Sequence, residues 1–104
     1  MTGSRQASQW GSEKELERID ITEVLGSKTR LKIITALSED LNSWSSVYAV
    51  GKKTGLNNKL ARDALEKLVD LDWIEKLQYG LVRKYRLNLS NERARLFREF
   101  LHSI

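Results

Sequence analysis

The 104-residue chain contains no cysteine and one histidine. Without cysteine there is no disulfide framework, no thiolate zinc site and no thiol nucleophile, which points to an intracellular, cytoplasmic protein. One histidine and no glycine-rich phosphate loop leave few parts for catalysis, so no enzyme and no cofactor are expected. No apolar run reaches the length of about 18 residues that a membrane helix needs, and no membrane partner is expected. The opening residues also lack the apolar stretch of a secretory signal. A chain of this length has room for one core and one domain. Hydrophobic residues at 40% and charged residues at 31% are ordinary for a globular protein.

What is present is positive charge, unevenly spread. The 18 Lys and Arg against 14 Asp and Glu give +4. Residues 1–40 hold 6 basic and 7 acidic groups, net −1; residues 41–104 hold 12 and 7, net +5. Such a local excess favours a polyanionic partner, because each neutralised phosphate releases condensed counterions. A mildly basic, solvated surface would look the same by charge alone.

Periodicity divides the chain. Residues 1–12 are polar, carry two glycines and show no apolar period, and read as a flexible tail. Ser12 before Glu13, Glu15 and Glu17, with Leu16, Ile19, Val24 and Leu25 as a partial apolar face, predicts a helix over about 13–25 that Gly26 ends. Ser27 caps a second helix, about 28–39, with Leu31, Ile33, Ile34, Ala36 and Leu37 inward and Lys28, Arg30 and Lys32 outward. A third helix is expected from Ser46 to Thr54 and a fourth over about 58–71, after which Asp70 and Asp72 read as a solvated helix exit. The period then changes to that of strands on either side of Gly80, with Tyr85, Leu87 and Leu89 on a buried face and Lys84, Arg86 and Asn88 on a wet one. Ser90 is the expected cap of a last helix, about 91–103.

The stretch 47–66 is the most informative. Two helices crossing over a tight turn need a small residue where they approach and a glycine where φ must be positive. Gly51 and Gly55 stand in those places. Val50, Leu56, Ala61, Ala64 and Leu65 supply the apolar wedge, and Asn57 is an N-cap for the following helix. This is the spacing of a helix-turn-helix over about 46–71. Subtracting the wedge leaves Asn57, Asn58, Lys59, Arg62 and Asp63 on the exposed N-terminal end of the second helix, with Ser46 opening the first. That end of a recognition helix reaches base edges in the major groove, where Asn suits adenine and Arg or Lys suits guanine. Asp63 is expected to orient Arg62. The same residues could equally be a solvated helix face.

The hairpin over about 73–89 carries Gln78, Tyr79, Gly80 and Leu81 at its tip, flanked by Lys76, Arg83, Lys84 and Arg86. Beside a helix-turn-helix it would be a wing, with Arg83 and Lys84 against phosphates or in a minor groove. Cations on an exposed strand can also merely guard the edge from pairing.

Over about 21–104 the sequence resembles the ArsR-type winged-helix regulators. Val24, Leu25, Gly26, Ser27, Arg30, Leu31 and Ile33 look like that family's opening turn. Residues 50–56 and the helix after them resemble its helix-turn-helix; residues 65–76, with Tyr85 and Leu87, resemble its entry into the wing. The resemblance implies a mainly α winged helix-turn-helix fold over 13–104 and a dimeric, double-stranded-DNA-binding transcription regulator, with the transcription machinery as a further partner. Many such proteins sense metal through paired cysteines, absent here. The alternative pair, Glu99 and His102, offers too few ligands, so no metal site is expected.

Ala94, Phe97, Leu101 and Ile104 recur at helical spacing on the last helix, with Leu96 and Phe100 beside them. Only part of so wide a stripe fits inside one small domain, so Phe97, Phe100, Leu101 and Ile104, with Leu16 and Ile19 of the first helix, are expected to pair across a two-fold axis. Two recognition helices would then enter major grooves about 34 Å apart and read an inverted repeat. The alternatives are a winged helix that binds protein and an architectural protein indifferent to sequence.

Overall fold

The computed structural model describes residues 23–104. The tail expected over 1–12, and Leu16 and Ile19, lie outside them. Residues 23–25 are helical and bring Val24 into the core. Four helices and a hairpin follow: α1 (Lys28–Ser38), α2 (Val47–Thr54), α3 (Asn58–Asp70), β1 (Ile74–Tyr79), β2 (Val82–Leu87) and α4 (Glu92–Ser103). The order is the one expected from periodicity.

Caps set the boundaries. The Ser27 hydroxyl accepts from the Arg30 amide, Ser46 from Ala49, and Asn57 from Leu60, so each helix begins where a side chain satisfies an otherwise unpaired N–H. At α4 the cap is Asn91 rather than Ser90: its Oδ1 accepts from the amides of Arg93 and Ala94 at 2.9 and 3.2 Å. Arg30 does not face outward. Its guanidinium turns back to the Glu23 carbonyl at 2.7 Å and carboxylate at 2.9 Å, pinning the preceding turn to α1.

Ile33, Ile34 and Leu37 of α1, Val50 of α2, Ala64, Leu65 and Leu68 of α3, and Trp73, Ile74, Tyr85, Leu87 and Ala94 form one core. Phe97 of α4 meets Trp73 edge-on, centroids 6.1 Å apart, and with Leu101 packs against that core. Trp73 is almost wholly buried, and removing a ring of that size costs about 3–5 kcal/mol. The His102 Nε2 lies 3.1 Å from the Ser38 carbonyl, which can only accept, so Nε2 carries the proton and ties α4 to the end of α1. Leu96, Phe100 and Ile104 remain exposed.

The end of α3 is more than a solvated exit. Asp72 takes φ of +67°, its amide donates to Val69 and the Trp73 amide donates to Leu68, a Schellman stop with aspartate in the left-handed position. The Asp72 carbonyl then receives the side-chain amides of Asn88 at 3.0 Å and Asn91 at 2.9 Å. Asn88, expected on the wet face, is therefore buried; it joins the end of the hairpin to the end of α3.

Candidate nucleic-acid interface

The corner between α2 and α3 explains its glycines. A Cβ on Gly51 would stand 2.9 Å from the Leu56 carbonyl oxygen, so it is the turn, more than the second helix, that demands the bare backbone. Gly55 takes φ of +78° and its N–H closes on the Gly51 carbonyl. Thr54 helps hold the turn, donating to the Val50 carbonyl and accepting from the Leu56 amide.

From this corner α3 projects Asn58, Lys59, Arg62 and Asp63 into solvent. Asn57 is exposed as well, but its side-chain Oδ1 is taken by the Leu60 amide at 2.8 Å, and among the described residues its NH2 has no acceptor. The Ser46 oxygen is likewise occupied by its capping bond. Asp63 pairs with Lys59 at 3.1 Å, not with Arg62. That exposed pair one turn apart is weak enough for a phosphate to displace. Arg62 makes no ion pair among the described residues.

The hairpin stands against α3 through Glu66. Its carboxylate accepts from the Tyr85 hydroxyl and from Lys76 Nζ at 2.9 and 3.0 Å. Burial works to raise the Glu66 pKa, but those hydrogen bonds, with the charges of Lys76 and Arg83, outweigh it and hold the carboxyl below its ordinary value. Tyr85, fully buried and donating to a carboxylate, is pushed up, so its hydroxyl stays protonated; the guanidiniums of Arg83 and Arg62 pull the other way. Both arginines therefore lie within electrostatic reach of one hydroxyl.

Register decides which wing cations are available. Lys76 pairs with Tyr85 and Gln78 with Arg83 on the face toward α3; Leu77 pairs with Lys84 and Glu75 with Arg86 on the other. Lys76 is taken by Glu66. Arg86 is held by Glu75 at 2.9 Å and stacks 4.2 Å above the Trp44 ring. Arg83 and Lys84 make no ion pair among the described residues, and as strand neighbours they point to opposite faces of the wing. The loop before α2 completes the sheet: Ser45 and Tyr85 exchange two backbone hydrogen bonds of 2.8 Å.

Sequence reasoning missed three parts of this surface. Leu60 is half-exposed on α3 beside Asn57, where an apolar side chain can meet a thymine methyl. Tyr48 is exposed on α2 with Lys52 over its ring at 5.5 Å, a pairing that their spacing of four residues could have revealed. The Ser45 bridge gave no signal, being a single residue in a polar loop.

No known family profile matches the sequence, and no curated protein matches it. Solved structures do match. HlyU from Vibrio cholerae superposes with a TM-score of 0.72 at 17% identity, covering 91% of this chain and 95% of that one. The transcriptional repressor BigR from Xylella fastidiosa gives 0.70 at 18%, covering 92% and 93%. The homodimeric winged helix-turn-helix DNA-binding domain of Mb0332 from Mycobacterium bovis, described as a possible ArsR-family transcriptional regulator, gives 0.65 at 25%, covering 89% and 78%. The fold is therefore the winged helix-turn-helix, shared with ArsR-type regulators, with α2 and α3 as the two crossing helices and β1–β2 as the hairpin that follows them. Among the described residues no helix is long and apolar enough to cross a membrane.

Proposed function

We propose that the chain is a cytoplasmic transcription regulator that binds double-stranded DNA by sequence, as a homodimer on an inverted-repeat promoter site. One observation carries the reading: around α3 and the hairpin, Arg62, Arg83 and Lys84 make no ion pair among the described residues, while Lys76 and Arg86 beside them are neutralised within the fold. Asn58 and Arg62 offer base-edge donors and an acceptor for the major groove; Arg83 and Lys84, on opposite faces of the wing, suit the two phosphate walls of a minor groove. The names of the M. bovis and X. fastidiosa neighbours support the same reading.

For the dimer, α4 presents Leu96, Phe100 and Ile104 as an exposed apolar strip, its other side being closed by Phe97 and Leu101 against the protomer's own core. Burying such a strip in a second copy removes the one large apolar face α4 leaves in water. Regulation is then by occupancy: a dimer seated at a promoter helps or hinders the transcription machinery.

Selection of bound sequences from random duplex DNA at physiological salt tests this. An enriched palindrome is expected; weak enrichment with a steep salt dependence would favour an architectural protein, and no binding a protein-docking winged helix. Arg62→Ala should weaken the selected site by about 1–3 kcal/mol and relax its base preference. Arg83→Ala or Lys84→Ala should weaken all duplexes alike and flatten the salt slope.

A further inference from the structure

The tip of the wing is apolar. Leu81 is 98% exposed, Tyr79 62% and Val82 51%. Tyr79 and Val82 form the last pair of the hairpin, and Gly80 and Leu81 make its two-residue turn. Gly80 takes φ of +55° and Leu81 does not have positive φ, the pattern of a II′ turn, which requires the glycine and makes no demand for leucine. Turn chemistry favours a polar residue there, and among the described residues the leucine packs against nothing. Single exposed apolar side chains are common, but three together at the extremity of a basic hairpin form a patch that water disfavours.

The patch is aimed. Outward from the Glu66–Tyr85 tie, the next residue on the same face of α3 is Arg62, one turn nearer its N-terminus. The next on the same face of β2 is Arg83, one pleat nearer the tip. Both guanidiniums act on Tyr85. The base-reading end of α3 and the tip of the wing thus project in the same direction. A duplex held by α3 in its major groove meets the tip at the adjoining minor groove, with Arg83 and Lys84 behind it for the phosphates. The wing is also stiff, fastened at its root by Glu66 to Tyr85 and Lys76, by the two Ser45–Tyr85 hydrogen bonds and by Arg86 on Trp44.

We propose that Leu81, backed by Tyr79 and Val82, is a wedge that enters the minor groove of the bound duplex, unstacks one base step and bends the DNA. This rests on the DNA-binding reading above and goes beyond it. Apolar side chains inserted from the minor groove kink DNA, and pyrimidine–purine steps yield most readily. The site would therefore carry a TA or CA/TG step at the wing position, selected by deformability without a hydrogen bond to either base.

The test uses the full chain and the selected duplex, end-labelled for energy transfer and carrying 2-aminopurine at the step under the wing. Wild type is expected to shorten the end-to-end distance and raise 2-aminopurine emission severalfold. Leu81→Ala, at a site that contacts nothing, should keep its circular dichroism spectrum, bind about tenfold more weakly and lose both signals. Leu81→Lys should regain affinity through phosphate but leave the step stacked and the salt slope steeper. A straight wild-type complex with the step stacked overturns the wedge and leaves the regulator standing, as does a Leu81→Ala complex bent like wild type. Loss of self-association in place of bending would assign the tip to a second copy and overturn it too. Wild type that binds no duplex brings down the regulator reading and the wedge together.

Discussion

Replacing Glu66 with alanine leaves the Tyr85 hydroxyl buried without the acceptor it now has, and that orphaned donor sets the size of the effect. A buried hydroxyl deprived of its partner costs about 1–3 kcal/mol. The Lys76 pair adds less than about 1 kcal/mol, because a third of the Glu66 side chain remains exposed and solvent screens it. A total near 2–3 kcal/mol, at about 4–8 °C per kcal/mol for a domain of this size, lowers Tm by roughly 10–20 °C. Tyr85→Phe should cost about 1 kcal/mol alone, and the double variant less than the sum, since removing both partners of the hydroxyl–carboxylate bond leaves no buried hydroxyl orphaned. Acid provides a second reading. Because the folded Glu66 pKa lies below its ordinary value, its contribution is complete above the unfolded value of about 4.3 and disappears as pH falls through the lowered one. Wild type should therefore converge on Glu66→Gln as pH drops below about 4. Thermal and urea melts of the four variants between pH 3 and 7 are the assay. An alanine variant melting within about 2 °C of wild type would refute the account of how the wing is fastened.

Gly51→Ala gains about 1 kcal/mol of helix propensity but sets a methyl 2.9 Å from the Leu56 carbonyl, an overpacking of about 1–3 kcal/mol. Net destabilisation near 1 kcal/mol is expected in urea melts, and more for Gly51→Val. Phe100→Glu with Ile104→Glu should give a folded monomer in ultracentrifugation, whereas Phe97→Glu should unfold the protomer, because that ring lies against Trp73. Asn57→Ala should cost about 1 kcal/mol through its cap and shift hydrogen exchange first at the start of α3.

The element order, the two turn glycines and the exposed start of α3 were readable because each rests on local chemistry: period, cap or φ. The sequence singles out Arg83 and Lys84 in the hairpin, but the reason they differ from Lys76 and Arg86 lies in space, since Glu66 and Glu75 neutralise the latter across ten and eleven residues of sequence. Ser90 was read as the last cap because it fits the pattern as well as Asn91 does; the Asp72 carbonyl, nineteen residues away, draws in Asn91 and so decides between them. Asn88 misled for the same reason, as alternation assigns an asparagine to water unless a distant carbonyl claims it. The apolar stripe of α4 showed its width in sequence but not its division, because which half meets Trp73 depends on how the helix is rotated.

The carbonyl at Asp72 is where α3, the hairpin and α4 are knotted, at the opposite end of α3 from Asn58 and Lys59. In a two-fold assembly built on α4, a small tilt there would be copied in both subunits and magnified along the length of each α3. On the proposed inverted-repeat site, two asparagine amides would thus gauge the gap between half-sites, and loosening them should blur the spacing requirement while leaving the proposed base contacts in place.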